Sequence, residues 1–238
     1  MTWYDAENKR HGEPPLPEQK YYDIQGVDRL VSLPDPAPHR VVDKIVQAAI
    51  SDTVKVAILC PPCIYGKGLG VVNTRSIQIP DLVKGSLEKG FAPIVGAGKT
   101  EWDNVHIEDL ADVFVKLADA TQEPSLANNP EIFGPKAYFF AEHGAHKWAD
   151  VATQIAESAS RQGYLPEPLT KSVSQDEVAL MDGAASVSWG NNSKGVAERV
   201  RKYLGWQPKG PSIGSTIDEL VAQEAKALGL TPKEKKGN

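Results

Sequence analysis

The run Val54-Lys55-Val56-Ala57-Ile58-Leu59, followed at once by Cys60-Pro61-Pro62-Cys63, sets the tightest limit on what this chain can fold into. A nearly continuous apolar run reads as a strand buried on both faces of a parallel sheet, because a strand with one wet face would alternate apolar and polar residues. Proline cannot donate to a sheet ladder, so the paired prolines end the strand. Upstream, Val42, Ile45, Val46 and Ala49 recur at helical spacing with Pro38 at the first turn, which predicts a helix over 39–50. A helix leading into a buried strand implies α/β layering.

The remaining pattern agrees with that class. Residues 1–36 are polar, with prolines at 14, 15, 17, 34 and 36, and read as an irregular loop. Ile77, Ile79, Leu82, Val83 and Leu87 predict a helix within 74–90, kinked or begun at Pro80. Short strands are expected at 91–95 and 105–107. Glu108 and Asp109 then open a helix with the stripe Leu110, Val113, Phe114 and Leu117, where two carboxylates favour the helix dipole. After an Asn- and Pro-rich loop over 121–136 come a strand at 137–141 and a helix from Trp148 to Ala159. Residues 163–195 are weakly patterned. A basic helix over 196–204 stops at Gly205-Trp206-Gln207-Pro208, and Ile213, Ile217, Leu220, Val221 and Ala225 mark a last amphipathic helix. No internal repeat is visible.

With 238 residues, 41% of them hydrophobic, the chain can bury one good core or a core with a small second lobe. A net charge of −5 and the lack of a basic stripe argue against a nucleic-acid partner. The Lys-rich end, 231–238, reads as a solvated, disordered tail. No apolar run reaches membrane-span length and the N-terminus has no signal-peptide pattern, so the expected location is cytoplasmic, with no membrane partner. No metal ligand set is assigned.

Two glycine-rich stretches and one cysteine pair suggest other chemistries. Gly66-Lys67-Gly68-Leu69-Gly70 follows a strand, but the periodic helix that should receive a phosphate does not follow it. Gly96-Ala97-Gly98-Lys99-Thr100 resembles the end of a P-loop, yet Pro93 stands where its first glycine belongs and a strand follows Thr100. Cys60 and Cys63 have the spacing of a redox dithiol, whose first thiol is activated by a helix N-terminus. Here Ile64-Tyr65-Gly66-Lys67-Gly68 follows, which cannot be a first helical turn.

Three segments, in order, resemble the extended short-chain dehydrogenase/reductases, the NAD-dependent epimerase/dehydratase family. Cys60-Pro61-Pro62-Cys63-Ile64-Tyr65-Gly66 is similar to R-P-x-x-V-Y-G, with Cys60 in place of the arginine. Residues 96–111 resemble G-x-G-x-x-x-R-D-F-V-H-V-x-D-L-A, with Trp102 in place of the arginine that contacts substrate diphosphate. Asn192-Ser193-Lys194 followed by Leu204-Gly205-Trp206-Gln207-Pro208 is similar to the element that closes the substrate lobe. The resemblance covers 37–228. It implies an α/β fold: part of a Rossmann-type, doubly wound parallel sheet with a small C-terminal substrate-binding lobe. Residues 37–122 would belong to the NAD(P) domain, with 67–100 contributing to the substrate lobe, and 123–230 mainly to that lobe.

The same resemblance implies NAD or NADP as cofactor, with Pro61, Pro62, Cys63 and Ile64 beside the nicotinamide, and Tyr65, Arg75, Trp102 and His106 on the substrate side. An indole at 102 cannot make a bidentate contact to a diphosphate, so the expected substrate is a smaller or less charged carbonyl or alcohol. Family chemistry uses Tyr-x-x-x-Lys, but Asp35 and His39 occupy those positions here. The Gly-rich dinucleotide turn and the Ser/Thr strand also have no counterpart. The chain therefore reads as a C-terminal portion in which dinucleotide binding is weakened or lost. The expected activity is that of an NAD(P)-dependent epimerase/dehydratase-like oxidoreductase, the alternative being a catalytically inactive binding or regulatory module. A homodimer through helix 39–50 is the partner expected beside a small-molecule substrate.

Overall fold

The computed structural model describes residues 2–181 and 188–233. The first segment is more ordered than its polar, Pro-rich composition predicts. It carries α1 (Trp3–Glu7), a 3-10 turn at Pro17–Gln19, β1 (Lys20–Tyr22) and α2 (Val27–Val31). Two buried carboxylates correct the loop expectation by tying this segment down. Asp5 accepts from the Asn192 backbone N–H at 2.6 Å and from the Gln19 amide at 2.9 Å. Asp23 accepts from the backbone N–H groups of Phe140, Glu198 and Arg199 at 2.9 to 3.0 Å. Buried carboxylates are tolerated when donors surround them.

Next come α3 (Arg40–Ala48), β2 (Ile58–Cys60) and β3 (Cys63–Tyr65). The apolar run at 54–59 becomes regular only at its end, and none of it is fully buried. Its one ladder partner among the described residues lies on one side, so Val54 is exposed and the ladder covers only Ile58 to Cys60. The helix is where its periodicity predicted, but its stripe faces outward, with Val42 58% and Ile45 66% exposed.

The chain continues through α4 (Gln78–Lys89), β4 (Ala92–Val95), β5 (Glu101–His106), α5 (Ile107–Ala120) and the short α6 (Pro124–Ala127). Pro80 lies in the first turn of α4, where its missing N–H is harmless. On α5, Leu110 and Val113 are buried as the stripe predicts, whereas Phe114 is exposed. Then follow β6 (Tyr138–Phe140), β7 (Ala145–Lys147), α7 (Trp148–Arg161), β8 (Thr170–Val173), α8 (Gln175–Ala179), β9 (Lys194–Val196), α9 (Glu198–Leu204) and α10 (Ile213–Ala227). The expected tail falls partly at 234–238, outside the described residues.

Strands pair in parallel as β1 with β9, β2 with β6, β3 with β5, and β4 with β8, while β7 adds antiparallel to β5. Two apolar cores result. One gathers Val105, Leu110, Val113, Phe139, Val200 and Trp206 around β6, α5 and α9. The other joins α4, β4, α7 and α10 through Leu82, Val83, Trp148, Ile155, Ile217 and Val221. Each fully buried aliphatic side chain contributes about 2 kcal/mol, so these interior faces hold the short strands together. β3 and β5 lie between the two cores.

Candidate functional site

The Pro61-Pro62 pair changes the direction of the sheet. β2 pairs with β6 up to Cys60, and after the two prolines β3 pairs with β5, with Cys63 opposite Asn104 and Tyr65 opposite His106. Two residues without N–H groups cannot extend either ladder, so the chain leaves one sheet and enters the next. A crevice at the carboxyl end of a parallel strand, where the sheet divides, is the usual ligand position in open α/β folds.

A cavity of about 480 Å³ opens there. Leu30, Val42, Val46, Ile58 and Phe140 line it together with Pro61, Pro62 and Tyr138. Asp43, Asp103 and Glu142 are its carboxylates, and none of the described lining residues is Lys or Arg. A neighbouring cavity of about 640 Å³ is lined by Ile64, Gly66, Arg75, Ile77 and Gln78. His39 and Pro62 line both, so they stand where the two meet. His39 is held at φ 67°, an uncommon conformation for a residue with a side chain, just before the first turn of α3.

Asp35 does not join His39 in the lining of either cavity. It is exposed and paired with Lys44, whose hydrogen bond holds its carboxyl below the usual range. Inside the first cavity the structure brings together residues with no recognisable local motif. The Tyr138 hydroxyl accepts from Arg40 Nη1 at 3.2 Å. Burial, then the Asp43 carboxylate beside it, push its pKa well up, so Tyr138 keeps its proton. Arg40 is itself fixed on the carbonyls of Val31 and Leu33. Tyr138 and Arg40 are 98 positions apart, beyond the reach of any spacing rule.

Of the residues assigned to the cofactor, Pro61, Pro62 and Ile64 line the cavities, whereas Cys63 is fully buried in the core. Burial pushes the Cys60 thiol up to about 12 and Cys63 higher still, the opposite of an activated dithiol. The glycine stretches are turns. The 66–70 loop runs on without a helix until Gln78, and 96–100 turns into β5. The described residues thus offer the nicotinamide end of a dinucleotide an apolar wall and backbone groups. They offer its diphosphate no Gly-rich helix start. The diphosphate of a whole dinucleotide is therefore not fitted by the described residues.

The substrate-side residues separate. Arg75 lines the second cavity, but its guanidinium is committed to Glu224 on α10, at 2.8 and 3.1 Å, and to Asp81 on α4 at 2.8 Å. Trp102 packs edge-on against Trp148 at 6.0 Å and donates its indole N–H to the Asn191 carbonyl at 2.7 Å. It does not line either cavity. His106 caps α5, accepting from the Glu108 N–H at 3.4 Å, and packs edge-on against Tyr65. The Tyr65 hydroxyl donates to the Pro211 carbonyl at 2.6 Å, and burial, then the nearby Asp109, push its pKa up to about 12.

The chain has known relatives. The profile of the NAD dependent epimerase/dehydratase family matches residues 37–160. The oxidase ucsJ from Acremonium sp. is 33% identical over 97% of this chain and 68% of its own length. Two solved structures share the fold at 14% identity and a TM-score of 0.50: the PbgP3 protein from Burkholderia pseudomallei and Pal from Bacillus thuringiensis. Each match covers 79% of this chain, and the chain spans about half the length of either structure, 50% and 51%. No helix among the described residues is long and apolar enough to cross a membrane. The partial Rossmann-type fold, the family profile and the likeness to ucsJ along nearly all of this chain lead to one assignment: this chain belongs to the NAD dependent epimerase/dehydratase family.

Proposed function

We propose that this chain supplies the substrate-holding part of an NAD(P)-dependent oxidoreductase of the epimerase/dehydratase type, acting on a small, uncharged carbonyl or alcohol compound in the cavity beside Pro61 and Pro62. The observation that carries the reading is the lining of that cavity. Its walls are apolar, its ionisable groups are Asp43, Asp103 and Glu142 with His39 at the rim, and no described Lys or Arg faces it. Asp103 and Glu142 are already paired with Lys194 and Arg201, so a nucleotide-sugar diphosphate would find no free cation or helix start in this lining, whereas a neutral ring or short chain would lose only water.

This chain's residues have three roles in that setting. Pro61 and Pro62 shape the wall, Tyr138 on its Arg40 support presents a protonated hydroxyl, and His39 places an imidazole where the two cavities meet. Asp35 acts only through Lys44. The exposed Val41, Val42 and Ile45 on α3 support a homodimer through this helix. Ile45→Glu should convert a dimer to monomer in sedimentation if the helix is that contact.

The test is calorimetry of the 238-residue chain with small ketones and alcohols and with sugar nucleotides, followed by turnover assays with reduced and oxidised NAD and NADP. Binding of the neutral compounds, reduced by Val46→Asp, supports the reading. Tight binding of a sugar nucleotide opposes it. Ligand binding with no turnover under any cofactor favours the binding-module alternative.

A further inference from the structure

A third cavity, about 360 Å³, lies on the other side of β3. Strand side chains alternate, so Ile64 faces the cavity beside Pro62 while its neighbour Tyr65 faces this one. We propose that this cavity binds a small monoanionic hydroxycarboxylate, at a site separate from the one beside the Pro-Pro turn.

Two long helices begin at its wall. α7, of 14 residues, starts after Lys147, and α10, of 15, starts after Ser212. Neither Lys147 nor Ser212 caps its helix with its side chain, and Lys147, Ser212, Ile213 and Gly214 line the cavity. First-turn N–H groups and the positive end of the dipole favour an anion, and both ends border the cavity beside a lysine, although the Trp148 N–H at the start of α7 is already donated to the Thr100 carbonyl at 3.3 Å.

The rest of the wall is built for neutral polar atoms. Tyr65, Asn104 and Gln154 line it, and the Tyr65 hydroxyl, which donates to Pro211, keeps lone pairs for a ligand donor. His146 provides the independent sign of an unfilled polar requirement. Its Nδ1 meets the Asn104 amide at 3.1 Å, while Nε2 is buried and has no hydrogen-bond partner among the described residues. Burial depresses the His146 pKa to about 3, so the ring is neutral and adds no charge. Asp150 in the wall and Asp109, 3.4 Å from His143 Nδ1, set the limit on the ligand's charge. A dianion such as phosphate would be repelled by these carboxylates, whereas one carboxylate is matched by the helix ends and Lys147.

The test uses the whole chain, titrated with lactate, acetate, inorganic phosphate and glycerol, by calorimetry and by the amide NMR shifts of Gly144, Gly210 and Gly214. Lactate should bind best, acetate about tenfold more weakly for want of its hydroxyl, and glycerol least. Lys147→Met, at an exposed position that cannot upset folding, should weaken lactate about tenfold, and Tyr65→Phe should reduce the preference for lactate over acetate. Phosphate binding tighter than lactate, lactate binding no better than glycerol, or affinity unchanged in Lys147→Met would each overturn the assignment.

Discussion

Gly66 lies so close to the His106 ring that a Cβ at this position would come within 2.3 Å of Nε2. The same glycine has φ 92°, where a side chain also strains the backbone. Gly66→Ala should therefore cost about 2 to 4 kcal/mol, combining backbone strain with displacement of the ring that caps α5. Gly90→Ala is the control. Gly90 has φ 78° but none of the described residues lies within 4 Å of its would-be Cβ, so it should lose only the strain, about 1 to 2 kcal/mol. Equal losses in urea unfolding would show that the His106 contact contributes nothing.

The buried thiols lead to a kinetic expectation. With Cys60 at about 12 and Cys63 higher, almost no thiolate exists near neutrality, and both should react far more slowly with iodoacetamide than an unfolded cysteine. Denaturant should restore ordinary rates. Rapid native alkylation, or a Cys60–Cys63 disulfide formed in glutathione buffers, would revive the dithiol reading.

Arg75 joins α4 to α10 through three hydrogen bonds to Asp81 and Glu224. Its side chain is partly exposed, so the pairs are discounted for solvent screening. Arg75→Ala should still cost about 1 to 2 kcal/mol, because Glu224 and Asp81 are largely buried and lose a partner. Arg75→Lys should recover only part, since an ammonium cannot reproduce the fork. If Arg75 instead contacts ligand in the second cavity, the alanine variant will lose affinity with unchanged stability.

His146 makes stability fall on acidification. Its folded pKa of about 3 lies below the ordinary 6.5, so the unfolded chain binds the proton first. The contribution is whole above about 6.5 and is lost as pH falls from there toward about 3, by up to about 1.4 kcal/mol per unit. His146→Gln should remove this slope in urea titrations stepped across that range. Asp23, Asp103 and Glu142, all raised by burial, act in the opposite sense: they favour the folded state when protonated and lose that advantage as pH rises through their folded pKa values. An identical slope in the Gln variant would mean that His146 is wetter than its packing indicates.

Local pattern was enough for the elements that carry their own signals. The helix opened by Glu108 and Asp109, the turn at Pro61-Pro62 and the last helix from Ile213 were legible, because capping, the missing proline donor and a 3.6-residue stripe act within a few positions. The α3 stripe shows the limit. Periodicity located the helix, but whether Val42 and Ile45 meet a core depends on what else packs there.

Tertiary structure decided the N-terminal segment and the cavity walls. Asp5 is satisfied by Asn192, 187 positions away, and Tyr138 by Arg40, 98 away. A sequence records which residues are polar. Whether a buried carboxylate or hydroxyl finds its donor is settled only when distant backbone and side-chain groups are brought within about 3 Å, since that match, not the residue type, offsets the cost of taking it out of water.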